Sequence, residues 1–184
     1  RRRAGGVVLV LFDWDTMELA ALISDHLVHA VRSTAPCGVM AKYLALEEAS
    51  NLALIGSGRL ARWAAEAVCA VRPIRDLRVW SPTPAHRREC VEYLQNRLDN
   101  SIRVREVENS EAAIRGAEIV ATGTKALEPV MNGEWLAPGC TVLANSPEEI
   151  DQATFLKGRI ITTYNDGILS HVPPYHSLVE LVEA

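Results

Sequence analysis

From Asn51 onward, short apolar runs alternate with longer stretches whose apolar positions recur at helical spacing, which is the pattern of βαβ units around a parallel sheet. Strands are predicted at residues 52–55, 77–80, 102–107, 118–121, 140–143 and 159–163, and helices at 59–71, 84–100, 110–115 and 147–156. Pro84 falls in the first turn of the second of these helices, where a missing N–H costs nothing. Glycine and proline interrupt the pattern at 128–133 and 137–139, where the chain has to cross the sheet. The whole predicts an α/β fold, a Rossmann-like doubly wound parallel sheet.

The first fifty residues read differently. Val7-Val8-Leu9-Val10-Leu11-Phe12, the turn-like Asp13-Trp14-Asp15-Thr16 and Leu19-Ala20-Ala21-Leu22-Ile23 predict a hairpin, although the second apolar run equally suits the start of a helix. A helical stretch follows over 25–46, and Pro36 inside it predicts a bend or break around Arg32-Ser33-Thr34-Ala35, with freed backbone groups and room for a ligand. A lone hairpin is marginal in water. The hairpin lies near the start of the chain, and Leu178-Val179-Glu180-Leu181-Val182 ends it as an amphipathic helix without a cap. The amino-terminal segment is therefore expected to lean on surfaces outside this sequence, on a partner subunit, or on both.

Composition narrows the classes. A length of 184 residues with 48% hydrophobic content suits one sizeable domain plus an appendage. With a net charge of −4 and no basic stripe after Arg1-Arg2-Arg3, nucleic acid is not an expected partner. No apolar run approaches the roughly 18 residues of a membrane span, and nothing reads as a secretory signal, so no membrane partner and a cytoplasmic location are expected. Cys37, Cys69, Cys90 and Cys140 are scattered without C-x-x-C spacing, which indicates neither a metal site nor a disulfide framework.

The candidate chemistry centres on Gly56-Ser57-Gly58-Arg59-Leu60-Ala61, which follows one predicted strand and opens a helix. In a dinucleotide-binding loop the first glycine takes the tight turn, the second admits the pyrophosphate, and a small third residue lets helix and strand pack closely. The helix N-terminus adds donors and partial positive charge. An acid at the end of the second strand grips the ribose of NAD. Asp76 has about the expected spacing from Gly56 but precedes that strand, at the wrong end of it. The residues at the carboxyl end are Ser81-Pro82-Thr83-Pro84, followed by His86-Arg87-Arg88, and hydroxyls with arginines in place of an acid favour NADP over NAD.

Several stretches together resemble the ornithine cyclodeaminase/mu-crystallin family. They are Leu52-Ala53-Leu54-Ile55-Gly56-Ser57-Gly58, Val79-Trp80-Ser81-Pro82-Thr83-Pro84, Gly116-Ala117-Glu118-Ile119-Val120-Ala121-Thr122 and, most family-specific, residues 129–139, Pro-Val-Met-Asn-Gly-Glu-Trp-Leu-Ala-Pro-Gly. Leu11-Phe12-Asp13, Val31-Arg32-Ser33-Thr34-Ala35 and Ala41-Lys42-Tyr43-Leu44-Ala45 are similar to the family's hairpin and its arginine-bearing connecting helix. The resemblance implies an NAD(P)-dependent imine reductase, amino-acid dehydrogenase or cyclodeaminase. It implies two domains: residues 1–46 as part of a dimerisation and substrate domain, and 47–184 as the dinucleotide-binding domain of a homodimer.

The resemblance also assigns roles. It gives Arg32 the α-carboxylate of an amino- or imino-acid substrate, a task suited to a planar two-pronged donor. Ser81 and Thr83 fall at positions lining the adenosine ribose or its phosphate, with Arg87 beside them, and Thr122, Gly123 and Thr124 at positions where the chain passes the cofactor. Family members are longer, and the further arginine and lysine of their substrate site have no counterpart here. Their proton-transferring aspartate follows the fifth strand of the domain, in a loop that is shorter in this chain. Asp151 is the nearest candidate, with a helix-start carboxylate as its ordinary explanation. His171 and His176, around Val172-Pro173-Pro174-Tyr175, fit a polar loop or a site.

Two functional classes stay open. One is an oxidoreductase or cyclodeaminase acting on a cyclic imine or an α-amino or α-imino acid by hydride transfer. The other is a catalytically impaired module that binds a dinucleotide or small ligand. A dehydrogenase of another Rossmann family is disfavoured, because no histidine–acid pair marks the carboxyl half.

Overall fold

A computed structural model of the protein describes residues 8–25, 27–159 and 161. The predicted strand over 159–163, the polar loop around His171 and His176, and the helix at 178–182 fall wholly or almost wholly outside these residues.

Five parallel strands form the body: β3 (Asn51–Ile55), β4 (Asp76–Trp80), β5 (Arg103–Glu106), β6 (Ile119–Thr122) and β7 (Thr141–Leu143), in spatial order β5-β4-β3-β6-β7. The order runs outward in both directions from the β3–β6 pair, so the chain is a doubly wound Rossmann-like fold whose topological switch point lies there. Such strands are covered on both faces and read as nearly continuous apolar runs. Leu52, Leu54, Leu77, Val79, Ile119 and Ala121 point into one core, and Ala53, Ile55 and Val120 into the other, following the two-residue period of a strand.

The first core is roofed by α1 (Val28–Leu44), α2 (Arg59–Cys69) and α3 (Pro84–Gln95). Ala61, Ala64, Ala65 and Val68 form the buried stripe of α2, and Cys37 and Ala41 place α1 in the same core. Small residues set the crossing: a Cβ on Gly38 would stand 3.0 Å from the Ala67 carbonyl oxygen. The second core lies under α4 (Ser110–Ile114), the 3-10 turn Gly133–Trp135 and α5 (Gln152–Lys157). Cys37 and Cys90 are buried, and burial pushes the Cys69 and Cys140 thiols up to about 12.

β1 (Val8–Phe12) and β2 (Leu19–Ser24) form a separate antiparallel hairpin, which resolves the strand-or-helix alternative in favour of a strand. Its turn is held by the Asp13 carboxylate, which accepts from the Asp15 and Thr16 backbone N–H groups at 3.0 and 2.9 Å. Among the described residues no helix is long and apolar enough to cross a membrane.

Three local expectations are corrected. Pro36 does not break its helix, which continues through it because Ala30, Thr34, Cys37, Gly38 and Ala41 all bury on one side. The helix expected over 84–100 stops at Gln95, and the polar segment beyond it turns with Asp99 accepting from the Ser101 N–H at 2.8 Å. The helix expected over 147–156 is two pieces, the 3-10 turn Pro147–Glu149 and α5, because Asp151 caps α5 afresh by accepting from the Thr154 N–H at 3.1 Å.

Candidate functional site

Where β3 ends, the chain turns through Gly56 at φ +117°, a conformation that side chains resist. A Cβ there would also stand 2.5 Å from the Gly123 carbonyl oxygen on the loop after β6. Packing therefore demands this first glycine. Gly58 is different: its backbone (φ −74°, ψ −177°) suits any residue, and a Cβ there would meet no atom within 4 Å. Among the described residues nothing in the fold requires glycine at 58, and the open space above it suits the close approach of a pyrophosphate.

α2 starts at the next residue with no side-chain cap and no acidic residue in its first turn, the turn that includes Leu60. Its partial positive charge thus faces the crevice without an internal anion. Arg62 Nε donates to the Ser57 carbonyl at 3.0 Å, bracing the loop from behind. Ala61 is the small third residue: a Cβ on Gly123 would stand 2.9 Å from its N and Cα.

The second corner follows β4. Ser81 is buried there, and its hydroxyl accepts from Ser57 Oγ at 2.9 Å. Arg87 Nη1 donates to the Ser81 carbonyl at 3.0 Å, while its Nε lies 3.6 Å from Glu106 Oε2. Thr83 is exposed at the N-cap of α3 and makes no capping bond. Asp76 begins β4, at the opposite edge of the sheet, and is claimed by Arg105 through two bonds of 3.0 Å. The hydrogen bond from Arg105 holds its carboxyl below the usual range despite partial burial.

The third corner follows β6, across the switch point. Thr122 is the last residue of the strand rather than the first after it, and both it and Gly123 are buried. Thr122 Oγ1 donates to Glu149 Oε2 at 2.6 Å and accepts from the Asn145 N–H at 3.4 Å, while the Thr124 N–H donates to Glu149 Oε1 at 2.5 Å. Glu149 is 1% exposed, and sequence reasoning misses it. The signal is present as Ser146-Pro147-Glu148-Glu149, the spacing of a capping box. The Ser146 N–H indeed donates to the Glu149 carboxylate, at 3.2 Å.

The structure thus gathers Gly56, Ser57, Gly58, Ala61, Ser81, Gly123 and Thr124 around the carboxyl ends of β3, β4 and β6. Asp151 stands elsewhere, with its carboxylate accepting from the Gly133 N–H at 3.0 Å as well as capping α5. Arg32 is exposed on α1 beside His29, at 3.2 Å from its Nδ1, and pairs with no carboxylate among the described residues.

Comparison with known proteins agrees with this geometry. The model of the ornithine cyclodeaminase/mu-crystallin family matches residues 4–164. A protein of Rhizobium meliloti named as a dehydrogenase is 30% identical over 93% of this chain and 54% of its own length. A Delta(1)-pyrroline-2-carboxylate reductase of Bacillus cereus is 33% identical over 72% of this chain and 40% of its own. The solved Delta(1)-pyrroline-2-carboxylate reductase of Thermococcus litoralis, in complex with NADH and L-proline, superposes with a TM-score of 0.73 and 30% identity, covering 79% of this chain and 46% of that one. The chain spans about half the length of the relatives it matches, or less. With the family's fold, its glycine loop and a match from the hairpin to the end of the described residues, the chain belongs to the ornithine cyclodeaminase/mu-crystallin family.

Proposed function

We propose that this chain forms the dinucleotide-binding part of an NAD(P)-dependent reductase or cyclodeaminase-type enzyme acting on a cyclic imine or an α-amino or α-imino acid. One observation carries the reading: Gly58 has room for a Cβ that no protein atom fills, directly beneath an uncapped α2 N-terminus at the sheet's switch point. The relative from Thermococcus litoralis, solved with NADH and L-proline, supports the same cofactor and substrate class.

The residues fit the cofactor. The α2 N-terminus and residues 56–61 would hold the pyrophosphate, Ser81, Thr83 and Arg87 the adenosine end, and Thr122, Gly123 and Thr124 the nicotinamide end. The bound dinucleotide supplies the hydride that passes to or from the substrate carbon. Arg32, whose guanidinium has no carboxylate partner among the described residues, would receive the substrate's α-carboxylate. Fixing both partners in one geometry is what the protein contributes to such a reaction.

NADP is the preferred cofactor on this reading, because two hydroxyls and Arg87 follow β4 where an NAD-specific site carries an acid. Titration of NADPH and NADH against the purified chain, read by nucleotide fluorescence, tests both points. NADPH should bind more tightly; NADH binding tenfold or more tighter overturns the preference, and binding of neither overturns the function.

One observation favours the second reading, a module that binds without catalysis. Asp151, the acid offered by the sequence as proton donor, is occupied by Gly133 and Thr154. Oxidation of NADPH in the presence of pyrroline or piperideine carboxylates decides for the enzyme.

A further inference from the structure

Three donors and no acceptor converge on the carboxylate of Glu149: the Thr122 hydroxyl at 2.6 Å, the Thr124 N–H at 2.5 Å and the Ser146 N–H at 3.2 Å. The side chain is almost wholly buried. A buried carboxylate is costly unless hydrogen bonds replace its water, so an apolar residue would serve a purely structural position more cheaply. A carboxylate is the side chain that accepts from all three donors at once.

The bonds from Thr122 and Thr124 tie the end of β6 and the loop after it to the loop after β7, within which the Ser146 bond holds the carboxylate in place. The Glu149 main chain adds a third tie, since its carbonyl accepts from the Val130 N–H at 3.0 Å. On its other side the same 122–124 segment is pressed against Gly56 and Ala61, with Gly123 close enough to both to exclude a Cβ. The segment is therefore gripped between the phosphate loop and a buried anion. In a doubly wound sheet the dinucleotide lies across the switch point, one mononucleotide half over each set of strands. With the adenosine end over β3 and β4, the 122–124 segment faces the nicotinamide half.

We infer that Glu149 is a positioning residue that sets the 122–124 segment for the nicotinamide end of the dinucleotide, without touching the cofactor itself. The inference rests on the dinucleotide reading above. It predicts an effect confined to one half of the ligand, which a general stabilising role does not produce.

The test compares NADH with ADP-ribose, which lacks the nicotinamide, by calorimetric titration of the full chain. Glu149→Gln keeps the shape but turns an NH2 group toward donors that need an acceptor. It should weaken NADH by roughly tenfold or more while ADP-ribose stays within about threefold. Glu149→Asp keeps the charge but shortens its reach to Thr122 and Thr124 and should show the same selectivity with a smaller loss; it carries the test alone if far-UV circular dichroism finds the glutamine variant unfolded. Equal weakening of both ligands, or no weakening of either, overturns the positioning role while leaving the dinucleotide reading intact. Failure of the unsubstituted chain to bind any of NADH, NADPH and ADP-ribose overturns both.

Discussion

Gly56 and Gly58 occupy one turn and answer to different constraints. Gly56 is fixed by its own backbone and by the Gly123 carbonyl, so Gly56→Ala should cost about 2–4 kcal/mol of stability through a strained φ and an overpacked contact. Gly58→Ala meets neither obstacle and should leave stability unchanged or raise it by up to about 1 kcal/mol, because alanine restricts the unfolded chain. The same Cβ would sit where a pyrophosphate has to approach, and nucleotide affinity should fall. Urea unfolding and an NADPH titration on the two variants separate the roles; a Gly58→Ala protein that binds as tightly as the unsubstituted chain refutes the proposed cradle. The spacing of these residues was legible in the sequence, but their division of labour was not, because the atom that forces Gly56 comes from a loop 67 residues later. Glu149 was hidden for a related reason: a capping-box spacing says nothing of further donors arriving from β6 and the loop after it.

Elements were legible where burial decided them and illegible where side chains rewired the backbone locally. All five described strands of the parallel sheet fall within a residue or so of the apolar runs that predicted them, since the central β3 and β6 are buried on both faces and even the edge strand β5 buries Val104. The division before α5 depends on Asp151 capturing the Thr154 N–H, and beyond the end of α3 Asp99 captures the Ser101 N–H, local bonds that periodicity does not register. Pro36 is the reverse case, a strong local signal overridden by packing on α2. It still removes the hydrogen bond its N–H would give to Arg32, and interior helical proline costs about 3 kcal/mol in a helix. Pro36→Ala should therefore raise stability by about 1–2 kcal/mol after the looser unfolded chain is allowed for. A fall in the thermal midpoint would mean that the helix is not continuous there.

The opposite edge of the sheet carries a pH dependence. Glu118, just before β6, accepts from the Ser50 N–H at 2.8 Å, the Asn51 N–H at 3.0 Å and Asn51 Nδ2 at 2.9 Å, and these bonds, the Ser50 backbone foremost, hold its carboxyl below the ordinary 4.5. A carboxyl depressed by folding contributes stability that is fully present above its unfolded value and is lost as the pH falls through the lowered one. Unfolding midpoints in urea should therefore drop on acidification below 4.5, and the drop should be shallower in Glu118→Gln, which starts lower at neutral pH. Parallel acid curves for the two proteins would assign the acid lability elsewhere, with Asp76 and its Arg105 partner the next candidate.

At the scale of the molecule, the parallel sheet buries its apolar side chains and the hairpin does not. An antiparallel pair with one wet face alternates apolar and polar residues, whereas here Val8, Val10 and Leu22 share one face and Leu9, Leu11 and Ile23 the other. Val10 is 47% and Leu22 64% exposed, and on α1 Val31, Val39 and Tyr43 are exposed as well. Two strands alone are marginally stable, and an exposed apolar face such as the hairpin's marks an association site. A second copy of the chain, pairing hairpin to hairpin, would cover the β1–β2 face by the isologous contact most common among soluble assemblies. Light scattering on the purified chain at micromolar concentration should then give twice the 20.2 kDa of one copy. Val10→Lys with Leu22→Lys, which places two like charges directly opposite each other on that face, should return the single-chain mass while NADPH binding, built on β3, β4 and β6, is retained. A monodisperse single-chain mass for the unsubstituted protein would overturn the dimer, and loss of nucleotide binding together with the dimer would show that the hairpin supports the sheet domain rather than a partner.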